Sequence, residues 1–415
     1  MDVDGSKLIC ILNKNWFEID DIVINILSRL SVKSITLCKS VSKDWYRLIN
    51  SPPFIKTQLI WSKENPLYIV YPHMYFIPNV YFMEGNGEII DRIPLPACRN
   101  FSSLSMICSF NGLICCINYA SPLDMTEVSD LDILICNPAI QEVLVLPNGS
   151  PSIEDPSIGV AFGPGINEYK VFRFFYAACE LKVKHLECEV YSSMTESWRR
   201  IESVEHCPMD STHVFVNGRV YWFICSEEHP VPGSILSVDR DENFREIRLP
   251  DEFSENSFLI DLDGCLSLVV VYDEDEEKMS IWVLKDCNES IWEKKCSDYI
   301  PIDAIECVDS VAARKNEIFF ITSAHYLVFN VDYKTWTELD IAGTFEENFP
   351  VAFAFTESLL PSCDAFPRAK TSSVYPVWLN SSESLTSSMY GLFFSFLLEL
   401  LLFMFCLVAY CRKIM

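Results

Sequence analysis

Two hydrophobic periodicities divide the chain. From Trp16 to Phe54 apolar residues recur at helical spacing: Ile22, Val23, Ile26, Leu27 and Leu30, then Ile35, Leu37, Cys38 and Val41, then Trp45, Leu48 and Ile49. The pattern predicts three short helices. Glu18, Asp20 and Asp21 load the first turn of the first helix with carboxylates, and Arg29 puts a cation in its last turn, as the helix dipole favours. Ser31-Val32-Lys33-Ser34 reads as a break, with Ser31 or Ser34 available to cap the second helix. Ser51-Pro52-Pro53 is expected to end the third. A stretch this short cannot bury a self-sufficient core, so it is expected to lean on the rest of the chain or on a partner.

From Leu59 to about Leu360 the helical period disappears. Short runs rich in Val, Ile, Phe and Tyr alternate with Gly, Pro, Asn and Asp turns. Arg245-Glu246-Ile247-Arg248-Leu249 alternates polar and apolar positions, whereas Leu266–Val271 reads as a buried inner strand. Two phrases recur. One is a turn followed by an apolar strand, at Asn111-Gly112, Asn217-Gly218, Asp263-Gly264 and, degenerate, Lys315-Asn316. The other is a strand, a polar turn and a strand carrying a bulky residue, with Trp198, Phe244, Trp292 and Trp336 falling 46, 48 and 44 residues apart. Leu95-Pro96 and Leu146-Pro147 extend the rhythm upstream. A period in the middle forties with about four strands per unit is that of a β-propeller blade. The length then predicts about six blades, with five and seven the neighbouring counts. The bulky residues are expected to pack between blades.

After Leu360 the texture changes again. Residues 361–388 are rich in Ser, Pro and Thr and read as a linker. Met389–Cys411 is almost wholly apolar and is followed by Arg412 and Lys413. As a helix it would extend about 34 Å, against roughly 30 Å for a hydrocarbon core, with Glu399 near its middle. A C-terminal anchor that leaves the body in the cytosol is one expectation for 389–411; a tail buried against the propeller is the other.

Charge narrows the function. A formal net charge of -26 argues against nucleic acid as a partner, because phosphate backbones call for a basic face. The opening stretch is the exception: Arg29, Lys33, Lys39, Lys43, Arg47 and Lys56 outnumber Glu18, Asp20, Asp21 and Asp44, which suits an acidic protein partner or simply a solvated helix surface. Asp273–Glu277 is an acid run between two strands and reads as a solvated hairpin tip. The eighteen cysteines lack any CxxC pair and the start lacks the form of a signal peptide, so reduced thiols serving as small core hydrophobes are expected. The six histidines are dispersed without metal-ligand spacing, and no GxSxG elbow or phosphate-cradling glycine loop is present. No cofactor, metal or catalytic residue is expected, and the chain reads as a non-enzyme.

The opening stretch resembles an F-box. The family pattern survives in Ile26-Leu27-Ser28-Arg29-Leu30, in Val41-Ser42-Lys43-Asp44-Trp45 and in Pro52-Pro53-Phe54. It departs where Trp16-Phe17 stands for Leu-Pro and Ser31 for a second proline, positions that in the family shape the surface meeting a Skp-type adaptor. The long middle resembles the F-box-associated region of plant F-box proteins, a kelch-related propeller, through Ser109–Ile114, Cys136–Glu142, Asn167–Val171, Asn217–Trp222, Ile281–Lys285 and Phe353–Leu359.

The resemblance implies a three-helix F-box at 14–56 and an all-β propeller of about six blades at 59–360; with the linker at 361–388 and the C-terminal hydrophobic helix at 389–411 read from composition, the chain is a multidomain α+β protein. The resemblance also implies a substrate-receptor subunit of a Skp–cullin–F-box ubiquitin ligase, in the cytoplasm or nucleus, whose propeller holds a target the family does not fix. Carried over by motif position, the adaptor-contacting residues are Trp16, Phe17, Ile26, Leu30, Val41, Trp45 and Leu48. The rival reading is a membrane-tethered, non-degradative interaction protein with a weakened F-box, held on the cytosolic face by its tail. A propeller enzyme is the weaker rival.

Overall fold

The computed structural model describes residues 21–71, 79–95, 103–119, 131–153, 156–163, 168–177, 185–201, 208, 213–226, 229–272, 278–301, 308–322, 325–341 and 350–361. The tail expectations at 362–415, including the candidate spanning helix, lie outside these residues, as do Trp16 and Phe17. Among the described residues no helix is long and apolar enough to cross a membrane.

Four helices open the chain where three were expected. Helix α1 is described over 21–27, α2 spans Val32–Cys38, α3 Lys43–Ile49 and α4 Pro52–Glu64. Each of the last three begins at a serine whose hydroxyl accepts a backbone N–H: Ser31 from Ser34, Ser42 from Trp45, Ser51 from Phe54. That explains the missed helix. Ser51-Pro52-Pro53 does end α3, but prolines at the first two helical positions lack N–H groups that a helix start cannot pair anyway, so the same residues launch α4. Helix therefore runs to Glu64, past Leu59, where strand texture was expected to begin.

Twenty-four strands form six four-stranded sheets among the described residues. The first blade holds β1 (Leu67–Tyr71), β2 (Asn79–Met83) and β3 (Ile89–Pro94). The second holds β4 (Ser103–Phe110), β5 (Leu113–Tyr119), β6 (Leu131–Asn137) and β7 (Glu142–Val145). The third runs β8 (Ser157–Phe162), β9 (Tyr169–Ala177), β10 (His185–Ser192) and β11 (Ser197–Ile201). The fourth runs β12 (Val214–Val216), β13 (Arg219–Ser226), β14 (His229–Asp239) and β15 (Phe244–Arg248). The fifth has β16 (Ser257–Leu262), β17 (Cys265–Val271), β18 (Lys278–Asp286) and β19 (Ile291–Tyr299); the sixth has β20 (Val308–Arg314), β21 (Glu317–Thr322), β22 (Tyr326–Asn330) and β23 (Thr335–Glu338). The last strand, β24 (Val351–Phe355), returns to the first blade and pairs antiparallel with β1, Leu67 opposite Phe355 and Tyr71 opposite Val351. That pairing completes the first blade with the last strand and so closes the ring.

Each junction between neighbouring blades is a hydrophobic cluster. Phe82 and Phe355 of the first blade meet Ile114 and Leu134 of the second, and so on round to Phe319 and Ile321 of the sixth against Tyr68 and Val70 of the first. Full burial of one such side chain is worth about 1.5–3 kcal/mol. The periodic bulky residues lie in these seams: Trp198 on β11, Phe244 on β15, Trp292 on β19 and Trp336 on β23. Two of them also tie blades by hydrogen bonds, Trp198 Nε1 donating to the Pro147 carbonyl at 2.6 Å and Trp292 Nε1 to that of Arg248 at 2.8 Å. Gly159 belongs to the same logic, since a Cβ there would lie 2.0 Å from Cζ2 of the fully buried Trp222.

Candidate functional site

The up-and-down order of each blade sorts its connections onto two ends of the ring. Tight turns at Asn111-Gly112, Asn217-Gly218 and Asp263-Gly264 join first to second strands, with both residues at positive φ as a two-residue hairpin of this hand requires. Four-residue turns at 138–141, 193–196, 240–243, 287–290 and 331–334 join third to fourth strands on the same end. Helix α4 enters β1 and the chain leaves β24 at that end too. The helices therefore sit on the tight-turn end. The connection 249–256 lies at the opposite end.

A strap after β24 fixes the helices to the ring. The Val32 N–H donates to the Glu357 carboxylate at 3.3 Å, and Gln58 Nε2 donates to the Glu357 carbonyl at 3.2 Å. Asn137, fully buried, donates through Nδ2 to the Ser358 carbonyl at 3.0 Å and the Leu360 carbonyl at 2.7 Å. Leu359 then enters the helical core beside Leu27, Val32, Ile35, Cys38, Ile49 and Phe54, with Ala139 and Ile140 of the β6–β7 turn packed against it. Lys33 pairs with Asp91 of β3 at 3.0 Å. The expectation that the opening stretch leans on the rest of the chain has this physical form.

The strap decides which apolar helical residues are covered. Of the motif-derived set, Leu30, Trp45 and Leu48 are half-buried against the helical core, Ile26 is half-buried outside it, and Val41 is exposed. The structure adds exposed residues that the motif did not mark: Ile22, Leu37 and Tyr46, and Ile60 on α4. Leu37, Val41 and Tyr46, at 43%, 48% and 57% exposure, belong to α2, to the turn after it and to α3. Arg29 stacks over the Trp61 ring at 4.6 Å. Burial lowers the Lys39 pKa, with Glu142 of β7 acting the other way.

Chemistry-bearing groups are sparse. Among the described residues no three His, Cys, Asp or Glu side chains come together as a metal-ligand set. Cys38, Cys108, Cys115, Cys116, Cys136, Cys188 and Cys296 are buried and in no disulfide, whereas Cys265 is exposed and Cys287 half-buried. Sequence reasoning missed one encounter: Cys108 on β4 and His213 before β12 meet on the ring axis. Burial pushes the Cys108 thiol up, but a hydrogen bond with Cys115 and the His213 imidazole outweigh it and leave it below the ordinary thiol range. Nothing local marks such a pair, because its two members come from different blades.

Known families match both parts. The model of the F-box associated beta propeller domain matches residues 83–366, and the F-box domain model matches residues 20–57. The chain belongs to the F-box associated beta propeller family. Among its relatives, F-box protein At5g49610 of Arabidopsis thaliana is 25% identical over 383 residues, covering 82% of this chain and 97% of its own. F-box protein At5g65850 of the same plant is 28% identical over 290 residues, covering 66% and 69%. The solved structure of apo AztD from Citrobacter koseri overlaps 71% of this F-box chain and all of its own at 13% identity, with a TM-score of 0.35.

Proposed function

We propose that this F-box protein is a non-catalytic substrate-receptor subunit of a Skp–cullin–F-box ubiquitin ligase. Its helices dock the Skp-type adaptor, and its propeller holds the target. The observation that carries this reading is that Leu37, Val41 and Tyr46 stay exposed on helices whose core is completed by Leu359, with Ala139 and Ile140 packed against it. Large apolar side chains left exposed on neighbouring elements suit a partner surface. The adaptor contacts proposed by motif, Trp16, Phe17, Ile26, Leu30, Val41, Trp45 and Leu48, are extended here by Ile22, Leu37 and Tyr46.

The target side is the end opposite the helices. Its β15–β16 connection carries Asp251, Glu252 and Glu255. A target with a basic surface suits that charge, and attraction of this kind raises the rate of encounter. Holding both partners on one rigid body raises the target's effective concentration beside the ubiquitin-loaded enzyme, with no covalent step by this chain.

Co-expression with a Skp-type adaptor tests the reading. The intact chain retains the adaptor through size-exclusion chromatography, and a Leu37→Glu, Tyr46→Glu double variant loses it with an unchanged melting temperature. An intact chain that retains no adaptor overturns it.

A further inference from the structure

The axis of the ring is hollow. Inner strands β24, β4, β8, β12, β16 and β20 enclose a cavity of about 630 Å³ that reaches from Asp309 on the loop-bearing side to Lys63 of α4. That volume is in the range of small-molecule sites. The wall mixes polar groups with aromatic ones, Phe162, Phe215, Phe258 and Phe353 lying half-buried along it. Phe162 packs on Phe110 and on Phe215 with ring centroids 4.0 and 4.8 Å apart.

Three side chains on this wall hold a buried polar atom that makes no hydrogen bond: Ser109 Oγ, His213 Nδ1 and Asp309 Oδ2. Buried polar atoms are nearly always paired, so three on one cavity call for a common cause. His213 is the most informative. It is 4% exposed, and its Nε2 accepts the Val160 N–H at 3.1 Å. An accepting Nε2 puts the proton of the neutral ring on Nδ1, which becomes a donor with the Cys108 sulfur near the ring but outside hydrogen-bond geometry. Burial raises the Asp309 pKa and so favours its neutral acid. The charged groups of the cavity other than Asp309, namely Lys63, Arg240 and Asp261, gather at its helical end.

We propose that the axial cavity binds a small, flat, uncharged molecule whose carbonyl oxygen accepts from His213 Nδ1 while its rings lie among the phenylalanines. An ion in the middle of the cavity would lose its hydration without a counter-charge, which is why the ligand is neutral. Ser109 and Asp309 are free to pair with a hydroxyl on the same molecule. Such a site lies between the end assigned to the target and the helical end, and it is independent of whether the helices bind an adaptor.

The test uses the full chain and two probes of like shape, coumarin with a carbonyl and naphthalene without one, followed by ligand-observed NMR. Coumarin binds saturably at one site per chain and up to about tenfold more tightly than naphthalene, the contribution of one hydrogen bond. Ala354→Trp, at an exposed inner-strand position on the cavity wall, fills the space and abolishes binding of both probes at an unchanged melting temperature. His213→Leu removes the preference for coumarin and keeps naphthalene. Absence of saturable coumarin binding overturns the proposal, as does binding that survives Ala354→Trp. If His213→Leu does not fold, the Ala354→Trp arm still decides.

Discussion

The Val32 N–H and the Glu357 carboxylate meet at 3.3 Å although nearly the whole propeller separates them in sequence. The contact joins the first turn of α2 to the strap that follows β24. Burial raises the Glu357 pKa; the Val32 hydrogen bond and Lys33 lower it, and Asp91 raises it, with burial the largest effect. The folded chain therefore holds this proton more tightly than the unfolded one, whose carboxyl titrates near 4.5. Ionisation costs stability, so this group's contribution falls as pH rises from about 4.5 through the folded value. Glu357→Gln keeps an acceptor for Val32 and removes the charge. The melting temperature of the variant minus that of the native chain is expected to grow from pH 4.5 to pH 7.5. A difference that stays constant across that range refutes the assignment.

Asn137 is the strap's other fixed point. Its Nδ2 serves the carbonyls of Ser358 and Leu360, both buried. Asn137→Ala leaves those acceptors unpaired, at about 1–3 kcal/mol for each buried group. The variant is expected to melt earlier and to be cleaved faster between 356 and 361 in limited proteolysis. Equal cleavage rates for the two proteins would remove Asn137 from this role.

The inter-blade tryptophans provide a matched pair. Trp292 Nε1 donates to the Arg248 carbonyl, while Trp336 Nε1 is buried without a partner. Replacing each by Phe keeps a ring in its seam and deletes the donor. Trp292→Phe is expected to cost about 0.5–1.5 kcal/mol beyond any packing loss, whereas Trp336→Phe removes an unmet donor and costs less. Urea unfolding of the two variants side by side measures this. Equal losses would mean that ring volume alone matters.

The same tryptophans explain why the propeller was legible. A blade repeats one seam, so a bulky residue on the fourth strand recurs at Trp198, Phe244, Trp292 and Trp336, and the period survives weak sequence likeness. Helix α4 was hidden because Pro52-Pro53 stop one helix and start another, and because its buried face includes the polar Gln58. The pairing of β24 with β1 leaves no local trace, since each strand alone is only a short apolar run. Which helical residues stay exposed was half legible for a related reason. Which of Ile26, Leu37, Val41, Trp45 and Tyr46 faces outward depends on Leu359 and Ile140, which arrive from elsewhere in the chain.

Ser31 stands where the F-box pattern has proline, and its geometry shows what the exchange did. Its φ of -58° already suits a proline ring, while its hydroxyl accepts the Ser34 N–H at 3.3 Å and caps α2. Ser31→Pro thus gives up a cap worth about 1 kcal/mol and regains roughly 0.4–1 kcal/mol by restricting the unfolded chain. Ser31→Ala gives up the same cap and regains nothing. The alanine variant is therefore expected to melt below the native chain, with the proline variant between them. Adaptor retention separates the two further: proline stiffens the path from Leu30 into α2 and raises retention, and alanine does not. A proline variant that melts below the alanine one would mean that the Leu30–Val32 backbone rejects the ring, and serine there would then be a requirement of this fold rather than a loss of docking strength.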